Sequence, residues 1–528
     1  MSNAVEVVRI GDGPIAWQDV VAVARDRRPL QLSVQAWARI QEARAAILTI
    51  TGSSQAHYGI NTGLGALCHV VLAPSELQKL SRHTLMSHAC GIGAPLRAEQ
   101  VRAIICCAVV NYSHGYSGIS PQVVEGLVNL LNHDIVPVVP AQGSVGYLSH
   151  MAHIGLALLG QGEVEFRGQR VTAEAALEAI GIASVELGAK DGLCLVNGTP
   201  AMTGLACLTL ADATALADWA DIIAAMSFEA LGGQLDAISV AAMQRKAHLG
   251  MQQSASNLRH LLQGSRVIER CQGEHLQDAL SVRSIPQVQG ACRDQLQHAA
   301  KQIVGELNSA TDNPLVVKEN GAYRVISQAN PHGESVAMAC DLLAIAVCEW
   351  SSISERRSFR LVTPQANKFP PFLTHGGGVK SGMMIVQYSA ASLVADNKRL
   401  ALPAVTDNFL TSGLQEDHLS LGESAALKLD KALDNALHVL AIEYLLASQA
   451  FDFIEDRPFG QGTGRAWQLL RERVAFYEEE HPLHLDVRAT YEVLRNQTNL
   501  EALREWLPRS NPEATQSCPL SKLSLIHI

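Results

Sequence analysis

The sequence predicts a mainly α-helical protein. A helical N-terminal domain with small β elements and glycine-rich loops is expected over 1–200, and a long central helix bundle over 201–515. Three observations predict this. Five stretches of 20 residues or more, 202–231, 288–307, 332–357, 381–400 and 418–451, repeat apolar residues at helical spacing. Small residues are dense on them, as at Ala337, Ala339, Ala344 and Ala346, and let helix axes approach closely. Of the 528 residues, 48% are hydrophobic and only 17% charged, which is enough apolar material for a large core.

The N-terminal elements follow in order. Residues 36–50 read as a helix, and a loop with three glycines occupies 58–65. Helices are expected at 76–88 and 98–113. Ser120 starts another over 121–131, with Pro121 at the first position, where its missing N–H costs nothing. Pro137 and Pro140 keep 135–140 extended, because proline disfavours helix in the residue before it. The stretch 163–171 looks like a small hairpin. Between these, a turn carrying Gly143 and Gly146 runs into an apolar helix pattern at 151–160. Such glycines let backbone amides approach a neighbour, and a helix start presents unpaired N–H groups. The turn therefore suits an electron-rich partner.

Charge narrows the function classes. With 41 basic and 51 acidic residues the net charge is −10, which leaves no electrostatic footprint for nucleic acid or an anionic membrane. No apolar run reaches the ~18 residues expected of a membrane span. The first six residues lack the basic-then-apolar pattern of a signal peptide, so a cytoplasmic protein is expected. The 11 cysteines include no CxxC pair and sit mostly in apolar helical patterns, as buried reduced thiols would. The last residues, 523–528, read like translated adapter DNA, and 516–528 is expected to be a non-native tail.

Several motifs occur in a fixed order: Tyr-Gly-Ile-Asn-Thr-Gly-Leu-Gly at 58–65, Ser-His-Ala-Cys-Gly at 87–91 and Gly-Tyr-Ser-Gly at 115–118. Pro-Val-Val-Pro-Ala-Gln-Gly-Ser-Val-Gly follows at 137–146, then Asn-Gly-Thr at 197–199 and Arg283 ahead of Pro-Gln at 286–287. Asp-Asn-Pro at 312–314, Ser-Glu-Arg-Arg at 354–357 and Gln-Glu-Asp-His at 415–418 complete the set. Together they resemble the histidine and aromatic amino-acid ammonia-lyases over about 50–460, nearest the histidine lyases because of His88 and Glu416.

The resemblance implies elimination of ammonia from L-histidine to give trans-urocanate, with no diffusible cofactor. Removing a weakly acidic β-proton while ammonia leaves needs an electrophile beside a base. In the family that electrophile is a methylidene-imidazolone made from an internal Ala-Ser-Gly. Carried over by position, Tyr58 is the base and Gly146 and Tyr147 flank the place of the electrophile. Asn197 would bond its ring oxygen, or else cap the helix that follows. Arg283 would clamp the substrate carboxylate through its planar guanidinium. His88 and Glu416 would face the imidazole, with Asn61 and Gln415 also lining the substrate. Glu416 has a plainer alternative as a first-turn acid of the helix expected at 418. The resemblance also implies a homotetramer whose active sites draw residues from several chains.

The chain departs from the family at the turn. There the family has Ala-Ser-Gly between the second glycine of Gly-Ser-Val-Gly and the next 14 residues; here Tyr147 follows Gly146 directly and begins the 14 residues that end at Gly160. Val145 has no hydroxyl to eliminate, so the remaining residues cannot form the methylene. Leu280 stands where the family has an aromatic residue, usually tyrosine, three before the arginine. Two further readings therefore stand beside the histidine lyase: a divergent lyase or aminomutase, and a non-catalytic homologue that binds an amino acid. A metal hydrolase using His150 and His153, with His332 and Glu334, lacks a third ligand in evident reach, and no metal is expected.

Overall fold

The computed structural model describes residues 6–52, 55–406 and 408–508. The tail expected at 516–528 lies outside the described residues. The fold is mainly α, as the apolar periodicity predicts.

Helix α1 (Val34–Thr51) begins at Ser33, whose hydroxyl accepts the Ala36 N–H. Helices α2 (Pro74–His88), α3 (Ala98–Ser113) and α4 (Pro121–Asn132) follow, two of them opening on proline. The turn leads into α5 (Ser149–Leu158), and a short helix α6 (Asp191–Val196) precedes the first long one, α7 (Pro200–Ala230). Helices α8 (Ile285–Leu307), α9 (Glu334–Val362), α10 (Met384–Leu400) and α11 (Gly422–Asp452) complete the five long helices.

The β structure is peripheral. The expected hairpin forms as Glu163–Phe166 against Gln169–Thr172, and Val136–Pro137 joins its edge. Pro140–Gln142 pairs antiparallel with Ile92–Pro95 and so anchors the segment entering the turn. A second hairpin, Leu315–Glu319 with Ala322–Ile326, escaped the sequence reading. Its Leu-Val-Val run is short and directly follows the Asp-Asn-Pro motif.

Two compact units are built from interleaved stretches. The first comprises the described residues of Met1–Ala213, Leu296–Ile345 and Leu400–Lys431; the second those of Thr214–Gln295, Ala346–Arg399 and Ala432–Ile528. In the first, α3 is buried from Gln100 to its end. The Tyr112 hydroxyl donates to the Cys194 carbonyl at 2.8 Å, tying α3 to α6. In the second, buried carboxylates are saturated. Asp221 receives Ser254, Asn257, Gln289 and Arg293 at 2.6–3.1 Å. Glu229 receives Ser265, Thr463 and the Gly460 N–H.

One sequence expectation is corrected. Two helical stretches, Asp191–Ala230 and Glu334–Val362, are long and apolar enough to cross a membrane, because an 18-residue window tolerates a few charges. Their apolar windows are 100% and 67% buried, as in core helices. The ten described cysteines are all free, and six are buried, as expected.

Candidate active site

The turn at 143–148 is held from both sides. Ser144 Oγ donates to the Tyr147 carbonyl at 3.0 Å and accepts the Gly146 N–H at 3.2 Å. The Leu421 N–H bonds the Val145 carbonyl at 3.0 Å, and the Leu148 N–H bonds the Val196 carbonyl at 3.1 Å. Gly146 has φ +151°, and a Cβ there would come within 2.7 Å of Ser420 Oγ. Leu148, the residue before α5, has φ +84° and ψ −69°, a region L-residues avoid. The chain thus closes directly from Gly146 to α5 at the cost of local strain.

Tyr147 reaches from this turn into the neighbourhood of Glu416, which acts on its phenol. Burial first, then the Glu416 charge, push the Tyr147 phenol well above its ordinary range. Tyr58 lies in the same neighbourhood. Burial raises it most, with Cys68 and Glu416 adding, while a bond from the Gly65 N–H to its oxygen at 3.4 Å opposes. Both phenols are therefore protonated near neutral pH. The Tyr58 loop needs its glycine: Gly59 has φ +66°, and a Cβ there would meet Leu193 at 2.4 Å.

Glu416 is not a first-turn acid. Helix α11 starts at Gly422, and Glu416 instead closes a tight turn, its carbonyl accepting the Thr411 N–H at 2.9 Å. Thr411 Oγ1 also donates to the carboxylate at 3.3 Å. Gln415, next to it, is exposed. The structure thus brings together Tyr58, Tyr147 and Glu416 from three separate segments of the first unit.

The other expected residues are placed less uniformly. His88 ends α2 half-buried, with Nδ1 2.7 Å from the Thr84 carbonyl. A carbonyl only accepts, so Nδ1 carries the proton and Nε2 is left as the acceptor. Among the described residues no hydrogen bond joins His88 to Glu416. Asn61 is buried, its Oδ1 accepting the His57 N–H at 2.7 Å and its Nδ2 donating to the Gln55 carbonyl at 2.9 Å; it holds its own loop. Asn197 ends α6, with Nδ2 donating to the Asn313 carbonyl at 2.7 Å. It does not cap α7, since the Thr199 N–H goes to Thr311 Oγ1. Arg283 belongs to the second unit, at the end of the short helix Leu280–Arg283, where its guanidinium lies against the Gln277 side-chain amide. Leu280 beside it is 64% exposed.

Sequence reasoning missed two buried charges. Lys190, just before α6, donates to Asp312 at 2.7 Å and to the Ser117 carbonyl at 2.8 Å. Burial lowers its pKa, but Asp312 outweighs this and holds the ammonium charged. Glu423, in the first turn of α11, is 2% exposed and neither oxygen has a donor. Ser144 lies beside it, yet the single Ser144 hydroxyl proton is engaged by the Tyr147 carbonyl. Burial pushes Glu423 up to about 7. A glutamate at a helix start normally reads as a solvated first-turn acid, so no local signal flagged it.

The helical histidine pair does not form a metal site. His150 Nε2 meets the Ala141 carbonyl at 3.1 Å, and His153 Nε2 accepts the Gly91 N–H at 3.0 Å. Burial lowers both imidazoles, keeping them neutral.

The chain is similar to known proteins over most of its length. A family model described as aromatic amino acid lyase matches residues 15–472. A histidine ammonia-lyase of Caldanaerobacter subterraneus subsp. tengcongensis is 42% identical over 492 residues, covering 92% of this chain and 96% of that protein. One from Alkaliphilus metalliredigens is 38% identical, covering 93% and 97%. Among solved structures, histidine ammonia-lyase from Trypanosoma cruzi aligns with a TM-score of 0.89 at 33% identity, covering 96% of each chain. Tyrosine aminomutase from Streptomyces globisporus aligns with a TM-score of 0.90 at 29% identity, covering 96% and 100%.

Proposed function

Because the chain belongs to the aromatic amino acid lyase family, we propose that it is a cytoplasmic carbon–nitrogen lyase of the histidine ammonia-lyase type, eliminating ammonia from L-histidine to give trans-urocanate. The observation that carries the reading is nearly full-length similarity to several histidine ammonia-lyases, joined to the Tyr58–Tyr147–Glu416 cluster at the turn. His88 Nε2, an acceptor, would take one N–H of a protonated substrate imidazole, and Glu416 the other. A site built on such bonds rejects phenylalanine by leaving its polar groups unpaired. Tyr58 is the base in its ionised form, which burial and the Glu416 charge make the minor species near neutral pH. Arg283 binds the carboxylate, and Asn197, Asn61 and Gln415 shape the surrounding wall.

The residues present do not fit a built-in methylidene-imidazolone. Gly146 is bonded directly to Tyr147, Val145 has no hydroxyl, and Ser144 Oγ is held by Tyr147 and Gly146. This turn favours a second reading, a family member that binds the amino acid without turning it over.

The Arg283 assignment goes with a further part of the proposal, a homotetramer with shared sites. Met338, Leu342 and Ile345 form an exposed apolar stripe along α9, at 49%, 37% and 41% exposure. Such a stripe is the kind of surface that subunit contacts cover. Mixing Tyr58→Phe subunits with Arg283→Ala subunits should restore part of the activity that each lacks alone; no recovery would remove the shared-site arrangement.

The deciding experiment pairs turnover with intact mass. The lyase reading expects an ultraviolet rise with L-histidine and little with phenylalanine or tyrosine. Calorimetric histidine binding, no absorbance rise with any of the three, and a mass equal to the written chain would establish the second reading instead.

A further inference from the structure

The structure supplies the third ligand that the sequence lacked. His332, Glu334 and His418 offer one ligand atom each, all within 4.8 Å of one another. His332 Nε2 and His418 Nδ1 stand 3.1 Å apart, with ring centroids at 5.2 Å and planes tilted by 31°. Two donors bound tetrahedrally to one ion at ~2.1 Å lie about 3.4 Å from each other. The imidazole spacing is therefore already that of a chelate. Glu334 completes the set with a carboxylate oxygen within 4.8 Å of a ligand nitrogen of each histidine.

Glu334 opens α9, where an acid is ordinary, and the two histidines could share a single N–H···N bond. That account leaves Glu334 Oε2 buried without any donor. A cation satisfies all three groups at once. The frame is also built for one: Gly333 and Gly422 both press on Met202, where a Cβ would lie 2.1 and 2.4 Å from its sulfur. These contacts fix the segment carrying His332 and Glu334 and the start of α11, four residues beyond His418. His418 itself is exposed, so an ion there keeps an open coordination position.

We propose that His332, Glu334 and His418 bind a divalent transition-metal ion of the zinc type. Two imidazoles and one carboxylate are the donor set of open, reactive zinc sites. His418 lies two residues from Glu416, which acts on Tyr147, and two from Ser420, which backs Gly146. The ion thus supplies a fixed positive charge in the segment that supports the turn. The inference stands apart from the lyase reading, since it is read on the protein alone.

The test uses the full chain, stripped with a chelator and titrated with zinc chloride in a calorimeter, with metal analysis after gel filtration. One zinc per chain is expected, with a rise in melting temperature on binding. His418→Ala and Glu334→Gln should each weaken binding by roughly 10–100-fold or more, while the zinc-free variants melt close to the zinc-free parent. Absence of stoichiometric zinc in the parent overturns the proposal. So does zinc bound equally by the parent and both variants.

Discussion

Helix α11 carries two buried glutamates that have been given opposite treatment. Glu443 receives Arg357 through Nε at 2.5 Å and Nη2 at 2.8 Å, and the Ser227 hydroxyl at 2.6 Å. Glu423, twenty residues earlier on the same helix, receives nothing. The first is a structural ion pair of the second unit, with its charge compensated where it lies. The second sits against the turn, beside Ser144, and meets burial by holding a proton instead. The buried carboxylates Asp221, Glu229 and Glu443 of the second unit all have donors. A carboxylate without one stands beside the candidate site, where a group left proton-active is of use.

The largest effect is expected from breaking the satisfied partner. Glu443→Ala leaves the Arg357 guanidinium buried without its anion and should cost about 3–5 kcal/mol in denaturant unfolding. A double variant, Glu443→Leu with Arg357→Met, should recover much of that loss. If the single variant unfolds like the parent, the pair is not buried as described.

Glu423 should behave the other way. Its folded pKa of about 7 lies above the unfolded value near 4.5, so the folded chain binds more protons between these limits. Stability therefore falls as pH rises from about 4.5 to about 7, and is level above. Glu423→Gln should remove that fall and make the protein more stable at pH 8, by on the order of 1–3 kcal/mol. Parallel stability curves for parent and variant from pH 5 to 8 would count against an orphaned carboxylate.

The smallest effect concerns the tyrosines. The Glu416 charge raises both Tyr58 and Tyr147, so Glu416→Gln should lower their ionisation midpoints. Ultraviolet tyrosinate titration reads this directly, and Tyr58→Phe in the same background assigns which phenol moved. An unchanged titration would separate Glu416 from the cluster.

Most of the helical frame was legible. The five long helices fall within a few residues of their expected spans, because a 3.6-residue period is written locally and survives without knowledge of partners. Tyr58, Tyr147 and Glu416 were also named, and the structure joins them. Their meeting was not legible, since the segments are separated by most of the first unit's length. The bonds that hold Asn61 in its own loop were not legible either, because its motif position says nothing of the His57 and Gln55 backbone groups it meets.

By itself the sequence determined the fold class, the family and the direct Gly146–Tyr147 bond, all of which rest on residue order and local periodicity. Tertiary structure alone decided that Leu148 takes a positive φ to close that turn, and that Glu423 is buried beneath it without a donor. It alone brought His418 to His332 and Glu334. The physical reason is the same in each case. Burial, solvation and ligand geometry are properties of what surrounds a side chain, and no neighbour along the chain encodes them.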